Sequence, residues 1–462
     1  MAGDLINGQI PDHWEFTTLG EICQRGGGNI QTGPFGSQLH ASDYVPVGVP
    51  SIMPTNIGEN RIVEDGIVRI TEEDANRLGQ HRLRAGDIIY SRRGDVEKRA
   101  LIREREEGWF CGTGCLKVRL GSGVVDSLFA SLFLGHPAVR EWIVRHAVGA
   151  TMPNLNTTIM SAVPFALPPL PEQKAIAAIL GSLDDKIELN RRMNATLEAM
   201  ARALFQSWFV DFDPVRAKLD GRVPVGMDRE TAALFPAGFD ESALGHIPLG
   251  WTATTLGEAC KFGGGNVQTG PFGTQLHAAD YVDDGVPSIM PSDLRDNRID
   301  VSSISRVREY DAERLGVYRV DIGDVVYSRR GDVERRALIR SNEQGWLCGT
   351  GCLRVRFGKF GLNPFFGASY LGSLESRAWV VRHAVGATMP NLNTSILAAL
   401  PMIVPPQKLQ AKFAEIVGLW DERSTIALEQ SRTLATLRDT LLPKLLSGEL
   451  SVAQAAKELF AQ

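Results

Sequence analysis

Basic residues are concentrated in one segment of the chain and again in a later one. Residues 77–105 contain nine Lys and Arg against four Asp and Glu, and residues 314–340 contain seven against four. Arginine can bond a guanine edge through two N–H groups or hold a phosphate, so both segments are candidates for nucleic-acid contact. The alternative for any single residue is an ion pair with a neighbour such as Asp95 or Glu97. The candidates follow the apolar runs DIIY and DVVY and comprise Arg92, Arg93, Lys98, Arg99, Arg329, Arg330, Arg335 and Arg336.

A second set of polar groups lies in the segment TGPFGSQLH, at residues 32–40, and in TGPFGTQLH, at residues 269–277. Two glycines and a proline predict a tight turn, which we expect Phe35 to anchor. A glutamine side chain can pair with N6 and N7 of adenine in the major groove. The alternative is a packed turn in which the glutamine only caps backbone groups. The candidate contacts are Ser37, Gln38 and His40 in the first copy and Thr274, Gln275 and His277 in the second.

The third candidate is the segment ATMPNLNT, which occurs at residues 150–157 and 387–394. Thr151, Asn154 and Asn156 are residue types that cap helices. The N-terminus of a helix also attracts phosphate groups. We favour capping for this segment, with phosphate contact by Asn154 and Asn391 as an additional role.

None of these sets forms a catalytic or metal-binding motif. Cys111 and Cys115 make a CxxxC pair that recurs at Cys348 and Cys352, but neither pair has the further cysteines or closely spaced histidines of a zinc site. Cysteines on a buried strand are the better interpretation. The NPFF run at residues 363–366 lacks the second proline of the adenine-methyltransferase motif. We therefore predict no catalytic residues and no metal ligands in this chain.

The candidates recur because the sequence contains one domain twice. The cysteines at 23, 111 and 115 return at 260, 348 and 352, with the same offset of 237 residues. So long a period, present only twice, indicates duplication of a whole domain. Short apolar runs bounded by glycines alternate with helix-like stretches, and the stretch at 127–146 is interrupted near Pro137. We predict an α+β fold with two similar domains and pseudo-two-fold symmetry.

A long helical pattern follows each domain. Apolar residues recur at steps of four and three, which is a heptad seam, and two asparagines interrupt the first seam. A helix of roughly 40 residues is about 60 Å long. We expect the two helices to pair antiparallel as a spacer between the domains; the alternative is two amphipathic helices docked on their own domains. Pro443 is predicted to break or kink the second helix. The predicted seam residues are Ile176, Leu180, Leu183, Ile187, Asn190, Asn194, Leu197, Leu204, Phe413, Ile416, Trp420, Leu434, Leu437 and Leu441.

Composition limits the class of protein. The 462 residues carry a formal net charge of −5 and a pI near 6.0, which argues against a protein coated in positive charge. A basic groove balanced by acidic residues elsewhere is still compatible with these values. The sequence shows no apolar stretch of membrane-spanning length and no signal peptide, so we expect a cytoplasmic location and no membrane partner.

Several motifs occur in one order along almost the whole chain: TGPFGSQLH, GDIIYSRRGD, ATMPNLNT, PPLPEQKAIAAILGSLDDKIELNRRMN, FVDFDP, IPLGW and LLPKLLSGEL. In this order and duplication, the chain resembles the specificity subunit of type I restriction-modification enzymes. One departure is the second arm, which reads QKLQAKF where the first reads EQKAIAAIL, so contacts with partners are expected to be unequal.

The resemblance implies two target recognition domains, at 1–165 and 248–403, that read the two halves of an interrupted DNA site. It implies helical regions at 166–210 and 404–462. The prolines, glycines and scattered charges of residues 211–247 predict a linker that is ordered in part, rather than a third domain. The expected partners are double-stranded DNA, two methyltransferase subunits and two restriction subunits. S-adenosylmethionine, ATP and Mg are expected on those partners, and no cofactor in this chain, which would be non-catalytic.

The near-identity of the two copies predicts an interrupted palindrome with equal or nearly equal half-sites. Two alternatives belong to other classes of protein. One is a self-contained DNA-modifying or cleaving enzyme, against which the missing motifs speak. The other is a coiled-coil scaffold that binds only proteins, which a salt-dependent DNA-binding assay would distinguish from a DNA reader.

Overall fold

The computed structural model describes residues 11–36, 38–149, 151–295, 297–386 and 388–460. These residues form two compact units. The first is built from residues up to 191 together with those from 428 onward, and the second from residues 192–427. Among the described residues, no helix combines the length and apolar character that crossing a bilayer requires.

The first unit contains two four-stranded sheets and a separate strand pair. The sheet orders are β2-β9-β6-β7 and β3-β5-β4-β8, and β1 pairs with β10, which brings the two ends of the domain together. All pairings are antiparallel except that of β4 with β8. The strands are β1 Glu15–Thr18, β2 Gly27–Thr32, β3 Tyr44–Val45, β4 Val49–Ile52, β5 Val68–Ile70, β6 Ile88–Ser91, β7 Arg99–Leu101, β8 Phe110–Cys111, β9 Cys115–Gly121 and β10 Pro164–Leu167.

Short helices in the first unit begin at side-chain caps, as their sequences favour. Thr18 and Glu21 form a capping box at the first helix, and Asp126 caps the third. The interruption predicted near Pro137 is confirmed, because one helix ends at Phe133 and the next begins at Pro137. The helices are α1 Leu19–Gly26, α2 Glu72–Arg77, α3 Ser127–Phe133, α4 Pro137–His146, α5 Thr157–Ser161 and α6 Leu170–Phe209.

The second unit repeats this arrangement, with sheets β14-β23-β20-β21 and β15-β19-β16-β22 and the closing pair β13-β24. Its strands are β11 Phe239–Ser242, β12 Gly245–Pro248, β13 Thr252–Thr255, β14 Asn266–Thr269, β15 Tyr281–Val282, β16 Val286–Ile289, β17 Leu294–Arg295, β18 Arg298–Ile299, β19 Ser305–Val307, β20 Val325–Ser328, β21 Arg336–Leu338, β22 Leu347–Cys348, β23 Cys352–Arg356 and β24 Pro401–Val404. Its helices are α7 Asp213–Leu219, α8 Arg229–Ala233, α9 Leu256–Phe262, α10 Glu309–Arg314, α11 Pro364–Leu371, α12 Leu374–His383, α13 Thr394–Ala398 and the first part of α14 Gln407–Leu446. The last helix of the chain, α15 Val452–Phe460, belongs to the first unit.

The segment predicted as a linker, 211–247, is folded. It contains α7, α8 and the hairpin strands β11 and most of β12. Phe212, Val215 and Phe235 are buried in the main core of the second unit, and the Phe235 ring meets Trp208 edge-on at 5.2 Å. Apolar side chains scattered among prolines and glycines therefore pack this segment into the core of the second unit.

The two long helices are each 40 residues, and both contribute to both units. α6 ends at Phe209, as its periodicity predicts. α14 is not interrupted at Pro443, where we expected a break, and continues to Leu446. The missing N–H of Pro443 costs the helix one hydrogen bond, to the Asp439 carbonyl, close to the end of the helix.

In the first unit, the start of α6 and the end of α14 share one hydrophobic core, which is the antiparallel order. Ile176, Leu180 and Leu183 lie in the same buried cluster as Leu441 and Leu445. Further along the seam, the Asn190 side-chain amide donates to the Ser431 hydroxyl at 3.3 Å. A buried polar pair of this kind fixes register at some cost in stability.

In the second unit, the end of α6 and the start of α14 meet through aromatic rings. The Phe413 ring lies edge-to-face with the rings of Phe205 and Phe209, and its centroid is 5.2 Å from that of Phe209. The same antiparallel order results. Every predicted seam residue of both helices is buried or half-buried, so burial follows the heptad pattern.

Ion pairs hold α14 to the strand region of its domain in the second unit and to α6 in the first. In the second unit, Asp421 on α14 accepts hydrogen bonds from Arg340 at 2.6 and 2.8 Å and from Arg298 at 3.3 Å. In the first unit, Arg438 on α14 donates to Asp184 on α6 at 2.8 Å. These side chains are all less than a fifth exposed, where solvent screening is reduced.

Replacing Asp421 with Ala should lower the free energy of unfolding by about 2 kcal/mol, because two largely buried arginines lose their shared carboxylate. Glu415→Ala on the same helix is the matched control, since Glu415 is 64% exposed in its pair with Lys412, and should cost less than about 0.5 kcal/mol. Urea unfolding measures both values. Equal costs would contradict a role for Asp421 in holding α14 to its unit.

Candidate nucleic-acid interface

The three polar segments that the sequence suggests meet at the end of β6. The Arg92 guanidinium lies over the Phe35 ring, 5.6 Å from its centroid, and Arg92 Nε donates to Asn154 Oδ1 at 3.3 Å. Main-chain bonds fix the junction, since Leu155 N–H donates to the Arg92 carbonyl at 2.9 Å and Gly94 N–H to the Pro153 carbonyl at 3.1 Å. Segments far apart in sequence thus form one surface patch.

The second unit builds the same patch at the end of β20. Arg329 lies over the Phe272 ring at 5.9 Å, and its carbonyl accepts from Leu392 N–H at 2.8 Å. One contact differs. Within the described residues, the buried Arg329 Nε and Asn391 Oδ1 have no hydrogen-bond partner. Asn391 Oδ1 therefore lacks the bond to an arginine Nε that Asn154 Oδ1 accepts in the first unit.

The turn at residues 32–40 uses its glutamine internally, which is the alternative that the sequence left open. Gln38 Oε1 accepts from the Phe35 N–H at 3.1 Å, and Gln275 Oε1 accepts from the Phe272 N–H at the same distance. Recognition of adenine by both ends of the amide would require breaking this bond. Ser37 lies outside the described residues.

The remaining polar side chains of the two turns are at the surface. Thr274, His40 and His277 are exposed. The backbone N–H of His40 donates to Asp43, and that of His277 donates to Asp280, so neither bond uses the histidine ring. Each turn therefore offers a histidine ring, and the second also a threonine hydroxyl, to a bound molecule.

The exposed basic residues after β6 and β20 differ in whether they pair with an acidic side chain. Lys98 and Arg335 are exposed but pair with Asp95 and Asp332 at 3.0 and 2.9 Å. Arg93 and Arg330 are also exposed, and no acidic side chain of the described residues pairs with either of them. These two arginines are the best placed of the set for contact with phosphate.

Arg99 and Arg336 are instead interior residues, which does not support the predicted contact with nucleic acid. Arg99 is 8% exposed and its Nε donates to the Ser131 carbonyl at 2.6 Å. A side chain at position 135 would meet this guanidinium, so Gly135 leaves the space that Arg99 occupies. Burial lowers the pKa of both Arg99 and Arg336.

The ATMPNLNT segments combine two roles. Asn156 caps α5 by accepting the Ile159 N–H at 2.8 Å, and Asn393 caps α13 in the same way, so the favoured capping role is confirmed for these positions. Asn154 lies on the other side of the segment, against Arg92. Exposed Met152 and Met389, each just over three-fifths exposed, complete the patch in the two units.

The sequence interpretation missed the exposure of the two phenylalanines. We expected Phe35 to anchor its turn, but its ring is 57% exposed, and that of Phe272 is 53% exposed. The turn is held by its main chain and by Gln38 instead. No sequence signal distinguishes an exposed aromatic ring in a turn from a buried one.

All six cysteines are reduced and buried, as the sequence favours. Burial raises the pKa of Cys111 and Cys348 to about 12, so both are protonated at neutral pH. Among the described residues, no cluster of three or more His, Cys, Asp or Glu side chains could hold a metal ion.

Comparisons with known proteins relate the chain to one group of proteins. Residues 11–199 match the family model described as type I restriction modification DNA specificity domain. The chain is 25% identical over 460 residues to the type I restriction enzyme HindI specificity subunit of Haemophilus influenzae, with 87% of this chain and 95% of the relative covered. The chain is similar to type I specificity subunits along most of its length.

Two further relatives agree with this assignment. The MjaIX specificity subunit of Methanocaldococcus jannaschii is 22% identical to this chain, and the match covers 97% of this chain and 96% of that protein. The crystal structure of the S subunit of a type I restriction-modification system from M. genitalium has the same fold, with a TM-score of 0.56, 17% identity and coverage of 95% of this chain and 97% of that one. The prediction of a specificity subunit rather than an enzyme is confirmed.

Arg99→Ala should lower the free energy of unfolding by about 3 kcal/mol, because it empties a buried site and leaves the Ser131 carbonyl without its donor. The matched control is Arg93→Ala, which should change stability by less than about 0.5 kcal/mol because its side chain is exposed. Urea unfolding of the purified chain measures both. If the two substitutions cost the same, the assignment of Arg99 to the interior is wrong.

Proposed function

We propose that this chain is the DNA-recognition subunit of a type I restriction-modification complex and that each unit reads one half of an interrupted site. The observation that carries this proposal is the repeated patch at the ends of β6 and β20. In each unit, an arginine on an aromatic ring, an exposed arginine beside it and an asparagine lie together. Arginine and asparagine are the side chains that most often contact phosphates and base edges.

Two similar patches in one chain support a site with two similar halves. We propose an interrupted palindrome with equal or nearly equal half-sites. We propose that the chain divides as predicted, into target recognition domains at 1–165 and 248–403 and the helical regions. The domains would recognise the two half-sites, and the helical regions would set the number of base pairs between them.

The proposed complex contains two methyltransferase subunits bound by the helical regions and two restriction subunits. S-adenosylmethionine, ATP and Mg would act on those subunits, and this chain would supply specificity. Methylation of a base inside a duplex requires that the base be flipped out, so the recognition subunit has to hold a distorted duplex. A cytoplasmic location remains the expectation from the sequence.

Methylome sequencing of cells that carry this chain and its methyltransferase partner should reveal one interrupted motif with equal or nearly equal halves. The reason is that two nearly identical readers discriminate the same bases. A strain without this chain is the control and should lack the motif. Unrelated half-sites would contradict the palindrome, and methylation by the purified chain alone would contradict a non-catalytic role.

Arg93→Ala and Arg330→Ala should weaken DNA binding equally for specific and unrelated sequences, because a phosphate contact carries no sequence information. Each should also reduce the slope of log K against log salt concentration by about 1. Arg25→Ala is the matched control, since Arg25 is paired with Glu15, and should leave the slope unchanged. Titration of the complex with its methyltransferase partner at several salt concentrations provides the measurement.

A further inference from the structure

Each unit carries an aromatic ring that is exposed although its main chain is tightly held. Gly33 N–H donates to the Cys115 carbonyl at 2.9 Å, and a Cβ at Gly33 would lie 2.2 Å from the Gly112 oxygen. Only glycine allows this close approach, which fixes the turn to the sheet. Gly270 approaches Gly349 in the same way in the second unit, at 2.1 Å. The rings of the two turns are thus held at set positions rather than on loose loops.

A similarly exposed phenylalanine ring with an arginine over its face occurs at the equivalent position of both units, which favours a shared binding role over chance exposure. Arg92 and Arg329 cover one face of the rings of Phe35 and Phe272. With more than half of each ring accessible, the remainder is free for contact. An arginine stacked on an aromatic ring also limits the ring's rotation.

The chemistry around the rings selects a nucleic acid as the partner. Arg93 and Arg330, one residue further along, are exposed and without an acidic partner among the described residues. A flat apolar group flanked by free cations matches a base and its phosphates. An apolar protein surface would leave these cations without counter-charge.

We propose that Phe35 and Phe272 insert into the base stack of the duplex, one in each half-site, while Arg93 and Arg330 hold the adjacent phosphates. Phe and Met are the side chains that proteins use as wedges between base steps, and Met152 and Met389 lie exposed on the neighbouring loops. This inference rests on the proposed function. It adds a mode of binding in which the duplex is partly unstacked at one base-pair step of each half-site. Such unstacking would lower the free energy needed to flip a base out of the duplex.

The test uses the full chain in complex with its methyltransferase partner and a duplex that contains the methylated motif. 2-Aminopurine is placed at successive positions other than the methylated adenines, because its fluorescence rises when its neighbours unstack. We expect a rise at one step in each half-site for the unaltered chain. Phe35→Ala should abolish the rise in one half-site only, and Phe272→Ala in the other.

The same variants should weaken specific DNA binding roughly 5- to 100-fold, in the range of one lost base–aromatic stack. Phe35→Trp should retain both the fluorescence signal and the affinity. Phe16→Ala is the matched control, since Phe16 is 48% exposed on β1, outside the patch, and should change neither. Thermal unfolding should be unchanged for Phe35→Ala, because the ring removed is exposed.

Three results would overturn the inference, and they are distinguishable. If the unaltered complex binds its motif and Phe35→Ala and Phe272→Ala bind and unstack it equally well, the rings do not insert. If the variants instead lose the methyltransferase partner on size-exclusion chromatography, the rings are protein contacts. If the unaltered complex binds no motif at all, the proposed function itself fails and the inference with it.

Discussion

The main chain of Arg92 is the point on which the candidate surface depends. Its N–H donates to the Gly114 carbonyl at 2.8 Å and its carbonyl accepts from Leu155 at 2.9 Å, while its side chain reaches Phe35. Arg92 therefore joins the end of β6 to the loop at Gly114, to the segment that precedes α5 and to the turn at Phe35. Because buried backbone groups have to be paired, none of these loops can move away without leaving a donor or acceptor unsatisfied. Arg329 performs the same role in the second unit.

Local patterns in the sequence predicted much of the fold, and long-range contacts account for the rest. The heptad seam and the interruption at Pro137 depend on periodicity and on a single residue type, so both could be found without a structure. The three polar segments could each be recognised, but their meeting at Arg92 is a tertiary contact. Arg99 was misassigned because the segment after β6 is a hairpin rather than a loop. Gly94, at φ +74°, turns the chain back, and pairing with Tyr90 in β6 directs Arg99 inward.

Equivalent positions of the two long helices also form different ion pairs in the two units. The offset of 237 relates Asp184 to Asp421, yet Asp184 pairs with Arg438 on α14, whereas Asp421 pairs with Arg340 of its own domain. The position equivalent to Arg438 is Ala201, which has no charge to offer. A repeat of this kind preserves the sheet and its surface patch while allowing the helical attachments to diverge.

The buried cysteines have a practical consequence for the study of this protein. With a thiol pKa near 12 at Cys23, Cys111, Cys260 and Cys348, only about one molecule in 10⁵ carries a thiolate at a given one of these sites at pH 7. Cys115 and Cys352 are shifted still further in the same direction. A cysteine introduced on the surface would therefore react with a maleimide dye far faster than any native one. The native chain is already suited to site-selective labelling for distance measurements on single complexes.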